Sequence, residues 1–156
     1  MSRIQKNIML FISSILALVP ALSLANQTKI TEPMVAANIF DQANKNDNWK
    51  FALATGEQAQ VVFMSVTPST NPANEIGMET HTFDQVIFIT EGNGNAILNG
   101  KTTAIKQGDM IFIPMGTSHN VVNLNKDKPL KIISVYSNTD IPAGSVYPKK
   151  QINLAD

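Results

Sequence analysis

An all-β, single-domain barrel is the fold this sequence predicts, and three observations carry the prediction. From residue 49 onward, apolar runs of strand length alternate with turn signals at short spacing, as sandwiches and barrels do. Helical periodicity does not interrupt them. Several runs are apolar on both faces, as in Val61-Val62-Phe63-Met64 and Val86-Ile87-Phe88-Ile89. Both sides of at least one sheet are therefore expected to be covered, by the rest of a barrel or by a dimer partner.

The first segment is one expected to be removed. Arg3 and Lys6 make a short basic start, residues 8–19 are almost wholly apolar, and Ser23-Leu24-Ala25 ends the run with small residues where a signal peptidase reads them. The apolar stretch stops at Pro20 and is too short for a bilayer, which takes about 20 residues to cross. Residues 1–25 are thus predicted to be a signal peptide cut after Ala25, leaving a periplasmic or secreted protein with no membrane segment after cleavage. Residues 26–48 form an N-terminal arm, polar over 32–48 except for a patch at 34–40, with one helical turn. The domain proper spans 49–150, with runs at 49–54, 60–67, 76–81, 85–91, 95–98, 101–105, 110–113, 119–124 and 130–136. Asn99-Gly100 is the sharpest turn between them, because a two-residue hairpin turn needs positive φ at both central positions. After Ser137, the residues Pro142, Gly144 and Pro148 mark a surface-packed extension, and 151–156 is a tail. No internal repeat is visible.

Composition narrows the partners. Without residues 1–25 the chain has ten basic residues against twelve acidic ones, a net charge of −2 with no long run of either sign. Nucleic acid and anionic membrane are poor partners for such a surface. Arg3 is the only arginine, so the mature chain has no guanidinium fork for phosphate or carboxylate. There is no Cys, which excludes disulfides and thiolate ligands.

Two motifs carry the chemistry. Residues 108–123 read G-x5-P-x-G-x2-H-x3-N, with Gly108, Pro114, Gly116, His119 and Asn123 at the fixed positions. Chance gives five such matches with odds on the order of one in ten thousand or less. Upstream, Glu79-Thr80-His81 is followed by three residues, then Gln85, six more and Gly92. The pair resembles the two motifs of the cupins, whose first motif commonly reads H-x-H, three or four residues, then E-x6-G. Here Glu79 stands where the first His would be, and Gln85 where the Glu would be. The resemblance implies a double-stranded β-helix, or jelly-roll barrel, holding one divalent metal ion through Glu79, His81, Gln85 and His119. On a strand, residues i and i+2 share a face, which would turn Glu79 and His81 inward together, and likewise Gln85 with Ile87. Two imidazoles, a carboxylate and an amide oxygen suit Zn, Fe, Mn, Ni or Co. Both His of the chain fall on ligand positions, and a carboxylate facing an apolar barrel is costly without a cation or partner. Met64, Ile87 and Val121 are expected to line the pocket. Asp84 reads as a turn residue, Met78 and Met115 as packing, and Trp49 as a core or edge anchor.

The likeness reaches further. Leu53-Ala54-Thr55-Gly56, residues 61–66, 75–81 and 84–85, Tyr136-Ser137 and residues 141–146 resemble a group of small bacterial cupins labelled mannose-6-phosphate isomerase-like, in which the Glu, His and Gln of the first motif stand as they do here. Ile141 and Tyr147 stand where many relatives have His. The label implies no activity, since mannose-6-phosphate isomerases are much larger, exchange the Gln and the Glu, and build a phosphate pocket. Cupins span many functions and the fold alone does not choose among them, but the open coordination sphere left by four ligands at one end of a barrel points to a metalloenzyme of dioxygenase or isomerase type acting on a small polar organic molecule. The alternative is a non-catalytic module that binds a sugar or carboxylate around a structural metal. Small cupins also tend to be homodimers.

Overall fold

The computed structural model describes residues 29–151; the predicted signal segment and residues 152–156 lie outside them. The order of elements is α1 (Ile39–Lys45), β1 (Lys50–Thr55), β2 (Gln60–Val66), β3 (Gln85–Glu91), β4 (Asn93–Leu98), β5 (Lys101–Lys106), β6 (Met110–Ile113), β7 (His119–Asn123), β8 (Leu130–Tyr136) and β9 (Val146–Tyr147). They form a six-stranded sheet, β6-β3-β8-β2-β1-β9, and a three-stranded sheet, β5-β4-β7, with antiparallel pairing throughout. This is the all-β jelly roll that the sequence predicts.

Alternation along the central strands sorts side chains between two cores. Val62, Met64 and Val66 of β2, Ile87 and Ile89 of β3, and Leu130 and Ile132 of β8 point into the barrel and are buried there with Val121 of β7. Each such side chain contributes roughly 1.5–3 kcal/mol. The opposite face of the same strands carries Phe63 and Ile133, which pack under Ala43 of α1. The doubly apolar runs are explained by this second layer: the N-terminal arm covers the sheet. Buried Lys131 pins it, its Nζ donating to the Asn46 carbonyl and to Asp47 Oδ1 (3.0 Å). The arm is thus a seven-residue helix, more than the single turn expected. Between β4 and β5, Asn99 and Gly100 both have positive φ, 47° and 79°, as the predicted hairpin turn requires.

The structure corrects two segments. Residues 76–81 are not a strand: Gly77 takes φ 99°, which turns the chain, and Asn120 Oδ1 accepts its N–H (2.9 Å). Only two isolated antiparallel bridges remain there, Glu75 with Val122 and Glu79 with His119. The extension after Ser137, in turn, contains β9, which pairs with β1 through Lys50↔Tyr147 and Phe51↔Val146.

Candidate metal centre

Because 76–81 is irregular, the face that Glu79 occupies is set by its bridge rather than by strand alternation. Glu79 N donates to the His119 carbonyl (2.8 Å) and His119 N to the Glu79 carbonyl (2.9 Å). Residues that exchange both bonds in an antiparallel pair carry their side chains on the same face. Asn120 fastens the same segment from the next position, its Nδ2 donating to Glu75 Oε2 (2.7 Å). His81 is tied back where its carbonyl accepts from Gly116 N (2.9 Å), the glycine of the second motif. One donor atom from each of Glu79, His81 and His119 lies within 4.8 Å of the others. Two ligands on opposite sides of an ion at about 2.2 Å would be about 4.4 Å apart, so little closure is needed.

The rings are held in place. His81 stacks on Phe83 (centroids 4.8 Å apart, 11° between planes), meets Tyr136 edge-on (5.6 Å) and lies 5.1 Å from the His119 ring. His119 Nδ1 donates to the Thr117 carbonyl (2.8 Å), which leaves the lone pair on Nε2. Gln85, at the start of β3, is 1% exposed and points inward with Ile87 and Ile89. Its Nε2 donates to Ser134 Oγ (2.8 Å). Three buried atoms at this end of the barrel have no hydrogen-bond partner among the described residues: His81 Nε2, Gln85 Oε1 and His119 Nε2. Glu79 Oε2 stands 3.5 Å from His81 Nε2, too far for a well-formed hydrogen bond. Nitrogen and oxygen lone pairs aimed inward beside a carboxylate are a donor set that suits a divalent cation.

Met64, Ile87 and Val121 are packed in the apolar core, at most 1% exposed. The cleft that borders Glu79 has other walls, including Trp49, Lys50 and Ile76. Several residues of the centre gave no sequence signal. Ser134 and Tyr136 sit on the inner face of β8, and burial pushes the Tyr136 phenol well above its usual range, reinforced by the negative charges of Asp140 and Glu79, while its hydrogen bond with Ser134 works the other way. Lys50 reaches the centre from β1, its Nζ 3.7 Å from both Glu79 Oε1 and Asp140 Oδ2. These residues are scattered along the chain, and only the sheet order β8-β2-β1 assembles them.

A family model described as the cupin domain matches residues 69–136, the stretch that holds Glu79, His81, Gln85 and His119. The uncharacterized protein YrkC of Bacillus subtilis (strain 168) is 32% identical over 121 residues, 72% of this chain and 62% of YrkC. The chain therefore spans less than two thirds of that relative. An uncharacterized protein of Acanthamoeba polyphaga mimivirus is 30% identical over 127 residues, 79% of this chain and 74% of its own. Among solved structures, BH2720 from Bacillus halodurans is similar with a TM-score of 0.70 at 30% identity, over 78% of this chain and 94% of that one. Jelly-roll pairing, the second motif and these relatives agree, and the chain belongs to the cupin superfamily.

Proposed function

We propose that this chain is an exported cupin of the small bacterial group with Glu, His and Gln in the first motif. In this reading it holds one divalent ion (Zn, Fe, Mn, Ni or Co) through Glu79, His81, Gln85 and His119, and it acts there as a metalloenzyme of dioxygenase or isomerase type on a small polar organic molecule. One observation carries the reading: His81 Nε2 and His119 Nε2 are buried without hydrogen-bond partners among the described residues and lie in one group with the Glu79 carboxylate, and Gln85 Oε1 is buried without a partner as well. Each unsatisfied buried group costs roughly 1–3 kcal/mol, and a common cation removes all three costs together. The chemistry such an ion supplies is Lewis acidity toward a carbonyl or enediol. Around it, Lys50 offsets the charge of Glu79. Tyr136, kept neutral by burial, is an O–H that can donate a hydrogen bond at the same end of the barrel.

A binding module with a structural metal is the second reading. It is favoured by the short list of acid–base groups: Glu79 serves as a ligand and burial holds Tyr136 in its protonated form. Dimerisation is proposed through β6, the edge of the larger sheet, where Met110 and Phe112 are exposed; sedimentation velocity tests this directly.

The deciding experiment is elemental analysis of mature protein purified from its native compartment, alongside His119→Ala. One equivalent of ion in the wild type, lost in the variant, is the expected result. Wild-type protein that stays metal-free even after reconstitution sinks the proposal. Oxygen uptake and turnover of candidate sugars and enediols then separate enzyme from binding module, since stabilisation by a ligand without turnover marks the latter. N-terminal sequencing of the same sample tests cleavage after Ala25.

A further inference from the structure

The cleft beside the metal group is built by the C-terminal tail. Pairing of β9 with β1, with Ala52 N donating to the Ser145 carbonyl (3.0 Å) and Trp49 N to the Pro148 carbonyl (3.4 Å), folds residues 145–151 over the start of β1. Lys149 and Lys150 thereby join Lys50 around a cleft of ≈ 310 Å³ whose walls also include Glu79, Trp49 and Ile76. Two of these ammonium groups keep donors to spare. Lys50 Nζ stands 3.7 Å from each of its two carboxylates, longer than a charge-assisted hydrogen bond, so its donors are not used up by them. Lys150 Nζ donates to the Glu75 carbonyl (2.9 Å) and rides over the Trp49 ring (5.4 Å to the centroid), which fixes it while leaving two N–H groups. Against these three positive charges stand two carboxylates, Glu79 on the wall and Asp140 beside Lys50, so the cleft keeps a positive balance.

We infer that this cleft seats a small organic carboxylate. Its carboxylate meets Lys50, Lys149 and Lys150, its apolar body lies on Trp49 and Ile76, and its far end reaches the Glu79 side, where the metal proposed above would act. The seat itself stands on the cleft; only the contact with the metal rests on the preceding reading. At roughly 30 Å³ per water-sized group the volume takes on the order of ten non-hydrogen atoms. An organic carboxylate is favoured over inorganic phosphate because Trp49 and Ile76 give the cleft an apolar wall that a phosphate ion leaves uncovered.

Calorimetric titration of the mature protein at low ionic strength, with metal content measured on the same sample, tests this. The probes are benzoate, succinate, their neutral amides and inorganic phosphate. At least one carboxylate is expected to bind, with its amide about tenfold weaker, and the Lys149→Gln/Lys150→Gln double variant is expected to lose about tenfold while keeping its metal and its folded circular-dichroism spectrum. The double arginine variant at the same positions is expected to restore binding. No preference for either carboxylate over its amide, or unchanged affinity in the glutamine variant, overturns the assignment, and phosphate binding more tightly than both carboxylates overturns the choice of carboxylate. Metal-free protein that still shows the lysine-dependent preference would sink the metal reading and keep the cleft; metal-loaded protein without the preference does the reverse.

Discussion

Replacing Ser134 with alanine separates a Gln85 that is a ligand from one that merely fills space. Ser134 is 0% exposed, and its Oγ accepts from Gln85 Nε2 at 2.8 Å. With its nitrogen on Ser134, the amide leaves its oxygen as the free end, the end a metal would take. Without Oγ the buried N–H has no acceptor, which costs the metal-free protein roughly 1–3 kcal/mol. With metal present the loss takes another form: the amide either keeps its oxygen on the ion beside an unsatisfied N–H, or turns and gives up the ligand. Removing such an outer partner usually weakens metal binding 10- to 100-fold, or roughly 1.4–2.8 kcal/mol. Urea unfolding in chelator measures the first quantity, and competition with a chelator of known affinity the second. The two losses should be of similar size. If stability falls by the expected amount while metal affinity stays within about twofold of wild type, Gln85 is not a ligand and the orientation argument is wrong.

Three further outcomes follow from the packing. Burial raises the Tyr136 phenol, so above about pH 10, where an unfolded tyrosine ionises, the unfolded chain releases a proton that the folded one keeps. The wild type should therefore lose stability as pH rises through that range, and urea midpoints from pH 8 to 11 should show Tyr136→Phe losing less. Asn123, the last fixed residue of the second motif, is a clamp rather than a ligand. Its Nδ2 lies 3.0, 2.8 and 2.9 Å from the carbonyls of Val66, Thr67 and Lys128, and its Oδ1 accepts from Asn125 N at 2.9 Å. Asn123→Ala should cost roughly 2–4 kcal/mol in urea unfolding while the purified protein keeps its full metal content. A Cβ on Gly94 would stand 2.1 Å from the Val122 carbonyl oxygen, which is backbone of the paired strand β7. Gly94→Ala should lower stability by roughly 3 kcal/mol or more, or abolish soluble expression, because β4 and β7 must separate.

Strand positions were legible where a turn residue fixed the register. Gly92, Gly100 and Gly108 all have positive φ, and strand ends fall within two residues of them. The same rule accounts for 76–81: Gly77 lies inside an apolar run of the sequence, yet it is the residue that breaks the run, and nothing local marks it as different from a strand glycine. A two-residue strand such as β9 is too short for any periodicity, and its place is decided by β1, about a hundred residues upstream. The cationic cleft was out of reach for the same reason. Lys50, Lys149 and Lys150 are ordinary surface lysines in composition, and only a long-range pairing turns them into one group.

Two glutamines show how far motif spacing goes and where physics must take over. Gln60 and Gln85 each open an apolar strand, each pairs with Tyr136, and each is buried on the inner face of the larger sheet. Local sequence does not tell them apart; only the spacing to Gly92 singles out Gln85. Their hydrogen bonds do. Gln60 Nε2 donates to Thr55 Oγ1 (2.8 Å) and to the Ile141 carbonyl (2.7 Å), and its Oε1 accepts from the amides of Asp140 (3.0 Å) and Ile141 (3.1 Å), so every group it has is matched. Gln85 keeps one oxygen unmatched among the described residues. An acceptor is thus left over at one glutamine and none at the other. By fastening residues 140 and 141, Gln60 in turn sets Asp140 beside Lys50 and Ile141 against the cleft. The satisfied amide shapes the wall of the site, and the unsatisfied one keeps an acceptor free inside the barrel.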